Sequence, residues 1–130
     1  MHERKFLIAG ALLGLLAVIF GAFAAHGLKD VLSDDSLNSF ETGVRFQMYH
    51  AFLFLILGST KLLSDKLSKT VFYLILSGII LFSGSIYLLS TGAATGIDFS
   101  SIALLTPIGG TLLIIGWIIL VLKFIKLKKK

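Results

Sequence analysis

Residues 6–25 read FLIAGALLGLLAVIFGAFAA, from Phe6 to Ala25, with no charged side chain among them. A hydrocarbon core about 30 Å thick is crossed by roughly 20 apolar residues of helix. The stretch is apolar all round, so it offers water no face and meets lipid or another helix along its length. Working outward, three further stretches have the same character. Spans are expected at residues 46–63, 71–89 and 102–122. The second is the least regular, because Gln47, His50 and Lys61 interrupt it; the fourth carries no charge. The expected fold is all-α, an integral membrane four-helix bundle forming a single transmembrane domain over residues 1–130.

Composition agrees with lipid as the solvent. The 130 residues are 56% hydrophobic and 15% charged, against about 25% charged in ordinary soluble domains. A chain of this size cannot hide so much apolar surface from water. A soluble enzyme domain, a nucleic-acid reader and a disordered tail are excluded, so nucleic acid is not an expected partner. With no cysteine there is no disulfide framework, thiolate metal site or cysteine nucleophile. Residues 1–24 also carry marks of a secretory signal, a basic start and then Ala22-Phe23-Ala24 as a cleavage site. The apolar stretch is long for a signal, and its removal would leave three spans, so retention is expected.

The connections differ in kind. Residues 26–45 hold most of the acid, and Ser33-Asp34-Asp35-Ser36 has the pattern of a helix start. Leu37, Phe40, Val44 and Met48 then recur at three and four, on one helical face. A short amphipathic helix in this first outer loop, lying at the membrane surface and leading into the second span, is expected. Pro107, the single proline, suits a helix's first turns, where early amides lack a partner anyway; the alternative is a kink ahead of Gly109-Gly110.

Charge sets orientation. With four spans, both termini and the 64–70 link share one side, which holds ten basic residues, Lys66, Lys69 and the tail Lys126 to Lys130 among them; the other side holds Lys29 and Arg45. Basic residues stay cytoplasmic, so both termini are expected inside, in the cytoplasmic (plasma) membrane. The lysine tail is drawn to anionic headgroups, and the lipid bilayer is the expected partner.

Close packing in lipid relies on small residues. Gly10, Gly14, Ala17 and Gly21 form a stripe along the first span, and Gly109 and Gly116 lie seven apart in the fourth. They are read as helix-packing positions within one bundle; the same seam would suit a homo-oligomer or another membrane protein.

Intramembrane polar groups are costly and often functional. Here they gather toward one end. His26 closes the first span, Gln47 and His50 open the second from that side, Ser83, Ser85 and Tyr87 lie in the same half of the third, and Thr106 starts the fourth. This polar cluster is read chiefly as a hydrogen-bonded network locking helix ends. The alternative is a small-ligand or lipid site, with transport coupling. Two histidines without metal-site spacing argue poorly for metal or haem. Glu41 with His50 lacks a nucleophile, and no acid is buried in a span to drive cation exchange. No cofactor, metal or catalytic residue is expected.

Four ordered motifs carry a family resemblance: Gly21-Ala22-Phe23-Ala24-Ala25-His26-Gly27-Leu28; Thr42-Gly43 with Phe46-Gln47 and His50; Phe82-Ser83-Gly84-Ser85-Ile86-Tyr87; and Thr106-Pro107-Ile108-Gly109-Gly110 with Gly116-Trp117. Over nearly the whole chain it resembles the family called domain of unknown function 423, the YgdD-like and YwdK-like bacterial membrane proteins. The resemblance implies four membrane helices and supplies no activity, cofactor or catalytic residue. Phe46 departs from the tyrosine expected before the glutamine, which removes a hydroxyl from the cluster.

Overall fold

A computed structural model of the chain describes residues 2–127. Lys128, Lys129 and Lys130 of the basic tail lie outside the described residues. Among the described residues there are four α-helices and no strand: α1 (His2–Ala25), α2 (Asp34–Gly58), α3 (Asp65–Thr95) and α4 (Leu105–Ile125). Single 3-10 turns at Leu28–Asp30 and Ser100–Ile102 sit in two of the connections.

Local chemistry sets the ends. Ser33 Oγ accepts from the Ser36 amide at 3.1 Å, and Ser64 Oγ accepts from the Leu67 amide at 3.2 Å, so each serine satisfies an otherwise orphaned donor of the first turn. α3 stops at Gly96, whose φ of 74° is the left-handed conformation that favours glycine. Pro107 falls in the first turn of α4, which continues unbroken through Gly109-Gly110.

Residues 34–45 form the expected amphipathic helical segment, and it leads into the second span without a break, as the opening turns of α2. The reason is phase: Phe40, Gly43, Gln47, His50, Phe54 and Leu57 all lie on the buried face of one helix, so nothing interrupts it and the segment packs into the bundle. One boundary needs correction: the helix of the second apolar stretch ends at Gly58, not 63. There Ser59 Oγ donates to the Leu55 carbonyl at 2.7 Å and Thr60 Oγ1 to the Ile56 carbonyl at 3.0 Å. The last carbonyls are satisfied without another turn.

α2 packs along α1 and α3, and α4 packs along α3, each antiparallel to its neighbour in sequence. α1, α3 and the segment Ser100–Ile125 are long and apolar enough to cross a membrane. Large apolar side chains such as Leu12, Val18, Ile114 and Ile118 face outward from α1 and α4, a surface suited to lipid.

The core lies toward the end of the bundle that carries the termini. The Phe6 ring meets those of Phe54 at 5.2 Å and Phe72 at 5.3 Å, both edge-on, while Phe54 and Phe72 stack at 5.3 Å. Val71, Ile75, Ile79 and Leu120 close around them. Glycines bring backbones together at chosen points. A Cβ on Gly10 would stand 2.9 Å from the Ala51 carbonyl oxygen, and one on Gly109 would stand 2.7 Å from that of Gly78. A Cβ on Gly116 would meet Ile75 Cγ1 at 2.6 Å. Gly14 and Gly21 differ, since a Cβ there would reach only ordinary contact, at 3.8 Å from Ala51 and 3.6 Å from Val44. The stripe along α1 thus contains one obligatory close approach among these three glycines.

Candidate functional site

Gly43, Gln47 and His50 recur at four and three along α2, which turns all of them inward. Gln47 is 5% exposed and joins three helices through one amide. Its Nε2 donates to the Leu13 carbonyl of α1 at 2.8 Å, and its Oε1 accepts from the Tyr87 hydroxyl of α3 at 2.6 Å. Four residues before Tyr87, Ser83 donates to the Gly43 carbonyl at 2.7 Å. Gly43 makes room for this: a Cβ there would come within 2.9 Å of the Tyr87 ring. That ring is held in turn by Phe20 at 5.0 Å and Phe40 at 4.9 Å.

Two further links reach α4. Ser85 and Thr106 hydroxyls bond to each other, and Ser85 also donates to the Phe82 carbonyl at 3.0 Å. A serine has one proton to give, so the arrangement satisfying both contacts has Thr106 donating to Ser85. His50 accepts at Nε2 from the Trp117 indole at 3.0 Å, while its Nδ1 lies 2.7 Å from the Phe46 carbonyl. An indole N–H can only donate. Nε2 therefore carries the lone pair, Nδ1 carries the proton, and both ring nitrogens are engaged.

Of the residues singled out by sequence, Gln47, Ser83 and Tyr87 come together, Ser85 pairs with Thr106, and His50 turns to α4. His26 stands apart, exposed at the end of α1 beside Phe23 and Gly27. Phe46 packs on Phe82 at 5.0 Å and Tyr49 at 5.7 Å, away from the Gln47 amide. Sequence reasoning missed Trp117 as a member. Its signal was present: a lone indole within a span needs an acceptor for its N–H. The roles of the Leu13 and Gly43 carbonyls carried no signal, since every residue has a carbonyl.

Among the described residues, every fully buried side-chain nitrogen and oxygen has a hydrogen-bond partner, and no three His, Asp or Glu side chains gather as a metal-binding group. A cleft of about 220 Å³ between α1 and α3 exposes one side of the network at Gln47, Ser83, Gly84 and Tyr87. The arrangement can fix the rotation and axial register of the helices. It presents no activated nucleophile.

The model of the family described as "Protein of unknown function (DUF423)" matches residues 20–110. The chain belongs to that family. The matched region holds Gln47, His50, Ser83, Ser85, Tyr87 and Thr106, so the DUF423 segment contains the network apart from Leu13 and Trp117. The UPF0382 membrane protein YwdK of Bacillus subtilis is 42% identical over 129 residues, covering 95% of this chain and 98% of that protein. A UPF0382 membrane protein of Haemophilus influenzae is 40% identical over 116 residues, 89% of this chain and 90% of its own length. One from Staphylococcus epidermidis is 43% identical over 126 residues, 95% of this chain and 97% of its own length. No solved structure matches. This DUF423 chain is thus an all-α integral membrane protein whose family has no assigned activity.

Proposed function

We propose that this protein is a non-catalytic structural or accessory component of the cytoplasmic membrane, crossing it four times with both termini in the cytoplasm. The observation that carries the functional part is the saturation of the polar network. Gln47, His50, Ser83, Ser85 and Tyr87 direct their hydrogen bonds at neighbouring helices or their own backbone, which is how groups in hydrocarbon are used to lock a scaffold. Catalysis would instead need a group free to exchange protons or attack.

Four crossings are supported by the length of α2 and its place beside α1. Its apolar portion, residues 46–58, makes about 20 Å of helix at 1.5 Å per residue, short of the hydrocarbon core. The whole of α2 makes about 37 Å on the same arithmetic. Arg45, exposed, donates to Thr42 one turn nearer the helix start at 3.0 Å, the snorkelling posture of a cation near an interface. The bias of lysine and arginine toward the side with the termini supports the orientation.

The absence of cysteine makes labelling direct. Single cysteines at Ser36 and Lys126 are treated with a membrane-impermeant maleimide in intact cells. Ser36→Cys is expected to react and Lys126→Cys only after lysis; reaction of the latter in intact cells overturns the orientation. Photo-crosslinking in native membranes tests the accessory role, which predicts capture of another membrane protein or a second copy. A protein that crosslinks to nothing and whose deletion leaves membrane composition and integrity unchanged contradicts it.

A further inference from the structure

Beyond the network, a second feature stands at the same end of the bundle. A cavity of about 420 Å³ opens between the start of α2, the end of α3 and the approach to α4. That volume falls within the range of small-molecule sites. Its polar lining comes from Asp35, Ser36, Ser39, Ser90 and Thr106. Ile86 and Leu89 of α3 supply an apolar wall.

Ser90 marks the cavity as more than a gap between helices. It is 5% exposed, yet its hydroxyl makes no hydrogen bond to any described residue. Hydroxyls in helices usually bond back to the carbonyl one turn earlier, as Thr91 does to Tyr87 at 2.8 Å and Ser59 does to Leu55 at 2.7 Å. Ser90 lacks that bond and lines the cavity instead. Since every fully buried side-chain oxygen among the described residues is paired, the unpaired Ser90 hydroxyl keeps its small residual exposure toward the cavity, where a water or a ligand group can bond it.

The remaining lining defines what would fit. Among the described residues that line the cavity, Asp35 is the only ionisable side chain, and a carboxylate only accepts. Thr106 gives its proton to Ser85 in the arrangement described above, so it offers lone pairs to the cavity. Ser36 and Ser39 add hydroxyl oxygens one and four residues beyond Asp35 on α2. The cavity thus presents one negative charge with several acceptors. The complementary group has one positive charge and several N–H donors. A primary ammonium has three donors and no acceptor. A trimethylated ammonium has the charge but no donor.

We infer that the cavity bounded by Asp35, Ser90 and Thr106 is a binding site for a primary ammonium group, carried by an aminoethyl phospholipid headgroup or by a free small amine. This goes beyond the structural role proposed above and does not depend on it. The Asp35 carboxylate neutralises the charge, and the Ser90 and Thr106 oxygens accept N–H bonds. The Ile86–Leu89 wall faces the carbon chain that bears the amine.

The test uses the full-length protein in mild detergent, by native mass spectrometry with equimolar phosphatidylethanolamine, phosphatidylcholine and phosphatidylglycerol. Wild type is expected to retain phosphatidylethanolamine about tenfold over phosphatidylcholine, the weight of one charge-assisted hydrogen bond. Ser90→Ala and Asp35→Asn are each expected to abolish the preference. Ser90→Ala removes a hydroxyl that bonds nothing in the protein, so its thermal unfolding should match wild type, and a lost preference then reports the site rather than the fold. Ethanolamine added at millimolar concentration separates the sources. Displacement of the lipid, with binding of ethanolamine by equilibrium dialysis, assigns a free amine; retention of the lipid assigns the headgroup. Equal retention of the ethanolamine and choline lipids with no binding of ethanolamine overturns the inference, as does a preference unchanged in both variants.

Discussion

The two ends of the bundle are held together by different physics. At the end carrying the termini, Phe6, Phe54 and Phe72 interlock with Val71, Ile75 and Ile79 in a core without polar side chains. At the opposite end, Gln47, Ser83 and Tyr87 tie three helices through hydrogen bonds of 2.6–2.8 Å. In lipid the apolar end gains little from leaving its surroundings, because the chains around it are as oily as the core. Its attraction is dispersion between well-fitted rings, small per contact and large in sum. The polar end gains modestly per bond, but its groups have few other partners, so each bond specifies a rotation and a register. Packing supplies most of the stability, and the hydrogen bonds choose the arrangement.

The largest expected effect lies at the apolar end. Phe54→Ala, which hollows out the ring cluster, should cost about 3–5 kcal/mol in equilibrium unfolding in bicelles. A loss below that of any single polar substitution would reverse the comparison. Next come the glycines of α1. Gly10→Ala pushes a methyl against the Ala51 carbonyl and should destabilise by about 1–3 kcal/mol. Gly14→Ala meets only ordinary contacts and should stay within about 0.5 kcal/mol of wild type. Equal effects would show that the stripe acts as a whole rather than at one point.

At the polar end, Tyr87→Phe deletes the donor to Gln47 and keeps the ring between Phe20 and Phe40. It should cost about 0.6 kcal/mol, with a ceiling near about 1.7. A double-mutant cycle with Gln47→Met should recover a coupling of that size; zero coupling would remove the bond from the account.

The smallest effect is a titration in the loop between α3 and α4. Asp98 Oδ1 accepts from the Ser100 amide at 2.9 Å, and the bonds from Ser100, backbone first, hold its carboxyl below the usual aspartate value. A lowered value means the turn is favoured at higher pH and loses this support as pH falls through the folded value. The Ser100 amide shift in NMR should titrate with a midpoint below that of an unstructured aspartate. A midpoint at the ordinary value would show that the turn does not form.

Much of this architecture is legible in the sequence. The apolar stretches located the helices, Ser33 marked the start of α2, and Gln47, Ser83, Ser85, Tyr87 and Thr106 stood out as polar groups among apolar neighbours. The end of α2 is not legible from hydropathy, because Leu62 and Leu63 extend the apolar stretch beyond Gly58, whereas Ser59 and Thr60 close the last carbonyls with their own hydroxyls. The amphipathic opening of α2 is legible from Leu37, Phe40, Val44 and Met48 at helical spacing, but how it packs into the bundle is not, because spacing names a face and not its neighbour. His26 shares the depth of the others along the chain, but depth does not say which way a side chain turns at a helix end.

What the sequence determined alone is the solvent and the helices, because hydrocarbon admits only backbone that satisfies its own hydrogen bonds. What only the tertiary structure decided is who bonds whom. The Ser85–Thr106 and His50–Trp117 pairs lie 21 and 67 residues apart, and a hydrogen bond forms only when atoms come within about 3 Å. Periodicity assigns a residue to a face, but the rotation and slide of two packed helices set the facing atom, and these follow from contacts summed over the whole bundle.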